Sequence, residues 1–389
     1  VDPHRITVFT CGPSVYQHSH IGNFRTFLFE DILVRYLEFS GYTVRRGITF
    51  TDVEDKAILE ANRQGIPLSE LTEKNIRAFL EEMGALRMKL PDCRPKASEA
   101  VEEAVQIIHS LMDKGLAYRH GKNVYFDPLK FPAFGELYGL DMRRWPASKR
   151  RFHKDTYPGM RWNRGDFILW HGVFKDSDTG WDAPFGRGRP SWNVQDPSMI
   201  LQCFDETLSV YCGGVDNLIR HHDYNKAILE SIRPYPMARY WLHGQHLTAG
   251  GKKISKSLGN VIYTDDLRRK GYDYGQIRFF LLTTHYRKKH NYSDSRMEQS
   301  ARRLESIRRE TDALKKAAGK VAGADREAAV RLKRLFIENM DRDLDVPAAL
   351  DALEDWLGRS EARSAEQAAG AWKSLLEIDE VLQILKNGE

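Results

Sequence analysis

RITVFTC (5–11) is a short apolar run and predicts a buried strand. From Ile21 to Phe39 the apolar residues recur at helical spacing (Phe24, Phe27, Leu28, Ile32, Leu33, Tyr36, Leu37), and Gly41 follows as a stop. VRRGITFTD (44–52) predicts a second strand, and Lys56 to Arg63 a second helix. Strand, helix, strand, helix is the opening of a parallel α/β sheet. Residues from about 73 to 190 break this rhythm. Ala97 to Lys114 predicts a helix, and the Trp-, Gly- and Pro-rich tract holding WNRGDFILWHGVF and WDAPFGRGRPSW predicts an insertion with irregular or β structure. The α/β pattern resumes near Trp192 and runs to about 245. TAGGKKISKSLGN (248–260) is polar and Gly-rich, the composition of a mobile loop. From about 293 the chain has little Gly or Pro and much Arg, Lys, Glu, Ala and Leu, which predicts a helical bundle.

The chain has 389 residues, enough for two or three domains. No run of about 18 apolar residues occurs, so no membrane span is expected. Nothing near the N-terminus reads as a signal peptide, and the first residue is Val rather than Met, as when a start is missing. The four cysteines (Cys11, Cys93, Cys203, Cys212) lie far apart without a CxxC pair. That spacing argues against a disulfide scaffold and fits a reducing cytoplasm, and it leaves room for a metal site assembled from distant residues. A net charge of +5 is compatible with nucleic-acid binding without requiring it.

His20-Ile21-Gly22-Asn23 lies where the first strand turns into the first helix. A helix N-terminus there offers free N–H groups and a positive dipole end to a phosphate. Gly22 lets a ligand lie against the backbone, and the imidazole at 20 and amide at 23 are donors for phosphate oxygens. Taken alone, the motif competes with an exposed turn that contains histidine. Lys252-Lys253-Ile254-Ser255-Lys256-Ser257 places ammonium groups on a Gly-rich loop that can fold over a triphosphate and stabilise charge on leaving pyrophosphate. A lysine pair alone competes with a solvated basic loop. Both motifs, in this order in one α/β chain, shift that balance toward a triphosphate site.

With these motifs the sequence resembles class I aminoacyl-tRNA synthetases, specifically the cysteinyl-tRNA synthetase family. VFTCGPSVYQHSHIGN, TFTDVEDKA, GRGRPSWN, CGGVDNLIRHHDYNKAI, KKISKSLGN and RFFLLTTHYRKKHNYSD carry the resemblance across nearly the whole chain, and MDRDLDVPAALDAL resembles the family's helical domain. The resemblance implies a Rossmann-type parallel-sheet catalytic domain in two halves (1–72 and 191–245) with an inserted connective domain (73–190). A KISKS loop and stem-contact region (246–292) and an α-helical bundle of tRNA-binding type (293–389) follow. The implied reaction joins ATP, carried with Mg2+, to an amino acid, cysteine or a relative, as an aminoacyl adenylate. The acyl group then passes to the terminal ribose of tRNA. His20 and Asn23 then contact the ATP phosphates, and Lys253 and Lys256 hold the transition-state phosphates, with Gly22 and Ser255 beside them. Gly213 and Gly214 let adenosine approach the strand end; Asp216 meets the substrate ammonium or the ribose, with a helix cap as the competing role. Cys11, Ser14, Trp192, Asp196 and His221 belong to the amino-acid pocket, which in this resemblance opens on a soluble cytoplasmic enzyme. Two rivals remain at this point: a ligase joining the acyl group to an amino sugar, as in mycothiol synthesis, and a non-catalytic paralogue that binds tRNA or nucleotide. Intact His20 and the KISKS lysines weigh against the second.

The family's zinc site, built from Cys, Cys, His and Glu, departs here. Its positions fall on Cys11, Asp196, His221 and Asn225, so two of four ligands differ. Carboxylate is an acceptable zinc ligand and carboxamide a poor one. Cys11, Asp196 and His221 make a three-ligand Zn2+ site with open positions; the alternative is a pocket that recognises its substrate by hydrogen bonds without metal. Where the family has a His-Gly-Gly-Gly type run, this chain has Tyr211-Cys212-Gly213-Gly214, and Cys212 reads as an extra ligand or as plain packing. Bacterial members carry a further small domain that helps read the anticodon; here the sequence ends at Glu389, soon after the bundle. RRLESIRRETDALKK fits either a tRNA backbone or a solvated face of i, i+4 pairs.

Overall fold

The computed structural model describes residues 4–141, 166–173, 179–254, 258–319, 325–359 and 364–385. The first part of the chain forms β1 (Arg5–Thr10), α1 (Ile21–Phe39), β2 (Thr43–Ile48), α2 (Asp55–Gln64), α3 (Leu68–Ala85) and α4 (Val101–Asp113). Next come β3 (Ala117–His120), β4 (Asn123–Phe126), β5 (Phe167–Gly172) and β6 (Gly188–Pro190). Then follow α5 (Trp192–Cys203), β7 (Leu208–Gly214), α6 (Tyr224–Ile232), β8 (Ala238–Gly244), β9 (Leu247–Ala249), β10 (Lys252–Lys253), α7 (Thr264–Arg269), α8 (Tyr274–Leu282) and β11 (His290–Tyr292). The C-terminal helices are α9 (Asp294–Ala318), α10 (Arg326–Met340), α11 (Val346–Gly358) and α12 (Ala365–Leu382).

The central sheet is parallel, in the order β2-β1-β7-β8. From β1 the chain crosses by α1 to β2 on one side; it returns as β7 on the other. The order therefore reverses between β1 and β7, and a crevice opens beyond their C-terminal ends, where α/β sheets bind ligands. Cys11 follows β1 and Gly213–Gly214 end β7, so the topology itself puts both at the crevice. α1 is apolar nearly all round because it is buried between the sheet and the C-terminal helices: Phe24, Phe27, Leu28 and Ile32 are all inaccessible or nearly so.

Between the halves of this sheet stands a second, antiparallel one, in the order β3-β4-β5-β6, packed with α4 over its own apolar cluster of Phe126, Phe134, Phe167 and Trp170. Part of the tract read as irregular or β is thus a strand, FILWHG; its flanks at 162–165 and at Phe174 lie outside the described residues. The polar stretch after residue 247 also differs from a simple loop. β9 and β10 form a hairpin across Gly250 and Gly251, both at positive φ (60° and 73°), the backbone that a two-residue turn of type I′ needs.

Two buried arginines fasten the helical part to the sheet. Arg25 donates to the carbonyls of Leu281, Thr284, His285 and Lys288, closing the end of α8. Arg278, fully buried, pairs with Asp31 at 2.8 Å and donates to the carbonyls of Leu86 and Leu382. The cysteine spacing pointed away from disulfides, yet Cys93 and Cys203 are bridged, 110 residues apart in sequence. The cause is tertiary: the segment around Cys93 runs beside β2, pairing with Gly47, and brings the thiol against the end of α5. Cys11 and Cys212 remain free and buried. Among the described residues no helix is long and apolar enough to cross a membrane.

Candidate active site

His20 is the N-cap of α1, and its contacts explain the asparagine three residues on. Asn23 Oδ1 accepts from the His20 backbone N–H at 3.0 Å, and His20 Nδ1 accepts from the Asn23 backbone N–H at 3.3 Å. This is a capping box, which satisfies two donors reciprocally and fixes both side chains. Burial, with the nearby Lys253 ammonium opposing charge, holds the His20 pKa down to about 4, so the ring is neutral. With Nδ1 accepting, the proton of the neutral ring sits on Nε2, leaving that N–H and the Asn23 amide as donors toward the crevice. Gly22 leaves room beside them: a Cβ there would lie 3.0 Å from the His20 ring, a tight contact that would press on the cap.

Across the crevice, β7 ends in Gly213 and Gly214. A Cβ on Gly213 would meet the His222 ring at 2.8 Å, so the strand end stays open only with glycine. Asp216 follows and accepts from Lys253 Nζ at 2.9 Å, with His246 Nε2 at 3.9 Å. Burial raises the Asp216 pKa, but the Lys253 hydrogen bond and the nearby His246 outweigh it and hold the group below its ordinary value. His20, Asn23, Gly214, Asp216, His246 and Lys253 line one cleft of about 370 Å³. Ser255 and Lys256 lie outside the described residues. A larger cleft, about 760 Å³, opens between α2, α3 and α7, but Glu60, Glu81, Asp265 and Asp266 outnumber Lys74 and Arg269 on its walls, the wrong balance for a triphosphate.

The cleft at the α1 N-terminus continues through Cys11, Gly12, Ser14 and Lys56 into a second cavity of about 360 Å³, walled by Trp192, Asp196 and His221. The Trp192 and His221 rings lie 4.5 Å apart. His221 and His222 reach the site from a π-helical turn, Leu218–Asp223, that precedes α6; such turns recur at functional sites. On the cavity floor, Asp196 Oδ2 takes Cys11 Sγ at 2.5 Å, Asn225 Nδ2 at 3.3 Å and the Tyr211 hydroxyl at 3.4 Å. Tyr211 Oη also lies 3.2 Å from Cys11 Sγ and 3.0 Å from Asn225 Nδ2. Burial, then the Asp196 charge, pushes the Cys11 thiol well up, so it is a neutral donor. His221 stands 4.0 Å from Asp196 Oδ2, and burial lowers its pKa despite that carboxylate.

Residues 1–302 match the family model described as tRNA synthetases class I (C) catalytic domain. The chain is 35% identical over 358 residues to the cysteine–tRNA ligase of Chlamydia caviae, covering 90% of this chain and 75% of that protein. It is 34% identical over 401 residues to the cysteine–tRNA ligase of Symbiobacterium thermophilum, covering 99% and 84%. The chain belongs to the cysteinyl-tRNA synthetase family. Its fold is similar to that of Mycobacterium tuberculosis methionyl-tRNA synthetase in complex with methionyl-adenylate, with a TM-score of 0.69 and 17% identity over 98% of this chain and 90% of that one.

In this member of the class I synthetase family His20, Asn23 and Lys253 line one cleft. The family's zinc positions are another matter. Cys11, Asp196 and His221 each bring a ligand atom within 4.8 Å of the others, and Asn225 touches Asp196. The donor chemistry does not fit zinc. Asp196 Oδ2 is already engaged by Cys11, Tyr211 and Asn225. The fourth position is a carboxamide, a poor zinc ligand, and its Nδ2 donates to Asp196 and to Tyr211 instead. A hydrogen-bonded cluster accounts for the same atoms.

Three residues of this family member escaped the sequence reading as site groups: Tyr211, His222 and His243. His222 Nδ1 lies 2.8 Å from His243 Nε2, and its Nε2 lies 3.9 Å from Cys11 Sγ. The available signal was position: Tyr211 directly precedes the Cys212-Gly213-Gly214 run, and His222 adjoins His221.

Proposed function

We propose that this chain activates an amino acid with ATP as the aminoacyl adenylate and transfers the acyl group to tRNA. One observation carries the reading: the capped N-terminus of α1 and the Lys253 ammonium share a single cleft at the reversal point of the sheet. ATP enters as its Mg2+ complex, its triphosphate along α1 and its adenosine against Gly213 and Gly214. A substrate carboxylate oxygen attacks the α-phosphorus, the bond to the β-phosphate oxygen breaks, and pyrophosphate leaves. His20 Nε2–H and the Asn23 amide donate to phosphate oxygens. Lys253, exchanging Asp216 for the triphosphate, meets the growing charge on pyrophosphate, and Ser255 and Lys256 complete that loop. The Lys253–Asp216 pair is about half exposed, so parting it costs little. No general base is needed for this step; positioning and charge stabilisation carry it. Asp216, so freed, meets the ribose or the α-ammonium. Cys11, Ser14, Trp192, Asp196 and His221 form the amino-acid pocket, and no step passes through a metal there.

In the second step a hydroxyl of the terminal tRNA ribose attacks the acyl carbon and AMP leaves. The relatives' names, cysteine–tRNA ligase, support this acceptor. α9 is a weaker support: its Arg303 pairs with Asp351 and Glu354, and Arg308 with Asp273, so part of its charge is engaged internally. No observation favours an amino-sugar acceptor or a non-catalytic role. The halves at 1–72 and 191–245, the insertion at 73–190, the region 246–292 and the bundle at 293–389 belong to the same reading, as does a cytoplasmic location. The Cys93–Cys203 bridge runs against that location, since disulfides are rare in the cytosol, so thiol trapping in intact cells is its check. For the function, incubation with ATP, radiolabelled amino acids and bulk tRNA should give acid-precipitable aminoacyl-tRNA. Adenylate that forms and never reaches tRNA would refute the acceptor.

A further inference from the structure

The floor of the amino-acid cavity carries a feature that a thiolate–zinc pocket would not need. The Tyr211 hydroxyl, on a fully buried side chain, stands within 3.4 Å of Cys11 Sγ, Asp196 Oδ2 and Asn225 Nδ2 at once. It thus sits among three of the four positions at which the family places zinc ligands. Oδ2 of Asp196 is engaged by Cys11 Sγ, the Tyr211 hydroxyl and Asn225 Nδ2, whereas Oδ1 accepts no hydrogen bond among the described residues, and Asp196 lines the cavity. Among the described residues no arginine or lysine pairs with it: Arg189, also on the cavity wall, is taken by Asp55, and His221 Nδ1 stands 4.0 Å from Oδ2. A buried carboxylate with one oxygen held and the other unengaged is an acceptor waiting for a donor.

We propose that Tyr211 and Asn225 replace the metal as the device that positions Asp196, and that Asp196 selects a substrate with a short side chain ending in a hydrogen-bond donor. An ammonium suits an unpaired carboxylate best, then a hydroxyl, then a neutral thiol. Tyr211 does not line the cavity and acts through Asp196, so it is a positioning residue. The inference rests on the adenylation reading and names the substrate class of that same site. Trp192 and His221, whose ring centroids lie 4.5 Å apart, wall the same cavity and limit the length of the side chain.

The test uses the purified full chain. Zinc is counted by elemental analysis, and amino-acid-dependent ATP–pyrophosphate exchange is run with 2,3-diaminopropionate, serine, cysteine and alanine, with and without a zinc chelator. We expect far less than one zinc per chain. We also expect exchange with at least one of the three donor-bearing amino acids, well above alanine and indifferent to the chelator. Tyr211→Phe should raise KM for that amino acid about tenfold with KM for ATP unchanged, a split that general loosening of the fold would not give. One zinc per chain that disappears in Cys11→Ser, or exchange that the chelator abolishes, overturns the proposal, as does exchange confined to amino acids without a side-chain donor. No exchange with any amino acid would sink the adenylation reading instead, and the zinc count, which needs no activity and no variant, would still decide this one.

Discussion

Asn23 has two jobs in this account, and two substitutions separate them. Its Oδ1 accepts from the His20 backbone N–H at 3.0 Å and so holds the capping box; its amide hydrogens face the cleft. Asn23→Ala removes both. The lost cap costs about 1 kcal/mol, a melting shift of about 1–2 °C in a chain of this size, and His20 is no longer fixed. Asn23→Asp keeps the acceptor, and a carboxylate in the first turn of α1 stabilises the helix by about 0.3–1 kcal/mol. What it loses is the donor, and it brings a negative charge to the phosphates. One unit charge about 4 Å from another costs about 4 kcal/mol at an effective dielectric constant of 20. Screening in the open cleft brings this to about 2–3 kcal/mol, a thirty- to hundredfold loss in kcat/KM for ATP. Thermal melting read beside ATP–pyrophosphate exchange therefore gives opposite signs for Asn23→Asp: stability kept or raised, activity lost. If Asn23→Asp holds kcat/KM for ATP within threefold of wild type, the amide is not a phosphate ligand and the residue is a helix cap only.

Lys253→Ala should lower the exchange rate by about a hundredfold while the KM for the amino acid moves little, because the ammonium serves the leaving pyrophosphate; an unchanged rate would place Lys253 outside the reaction. Cys93→Ser opens a bridge that closes 110 residues, for which chain entropy alone gives about 4–5 kcal/mol; the melting temperature should fall without reductant and match wild type with it. Equal melting under both conditions would mean that the bridge adds no stability. Glu82 is pushed up to about 8 by burial and by Asp265. Its folded pKa lies above the unfolded one, so its contribution is full below about pH 4.5 and is lost as pH rises toward 8. Glu82→Gln should therefore gain stability over wild type at pH 9 relative to pH 5; a difference that does not change with pH would contradict the shift.

Regular elements were legible where periodicity was strong. The spacing of Phe24, Phe27, Leu28 and Ile32 marks α1 over the same span, Ile21–Phe39, that the structure shows. Local signals failed where tertiary placement decides. Gly250-Gly251 reads as flexibility, yet both residues hold a tight hairpin because β11 gives β9 a partner. Cys93 and Cys203 gave no pairing signal, since only the path of the chain beside β2 joins them. At the site, His20 and Asn23 were legible as a pair at the start of a helix beside a cleft, but the tie between them is a matter of backbone geometry at a cap. Tyr211 was the hardest to see. A tyrosine in the middle of a buried strand reads as core packing until Asp196 and Asn225, 15 residues before and 14 after it, fold onto its hydroxyl.

The central claim is that one cleft, built from the α1 N-terminus and Lys253, adenylates an amino acid. ATP–pyrophosphate exchange across the twenty amino acids, extended to 2,3-diaminopropionate, tests it most directly. The account predicts exchange that depends on one or a few of these substrates and falls by about a hundredfold in Lys253→Ala. Absence of exchange with every one of them, from folded protein with tRNA supplied, would contradict it.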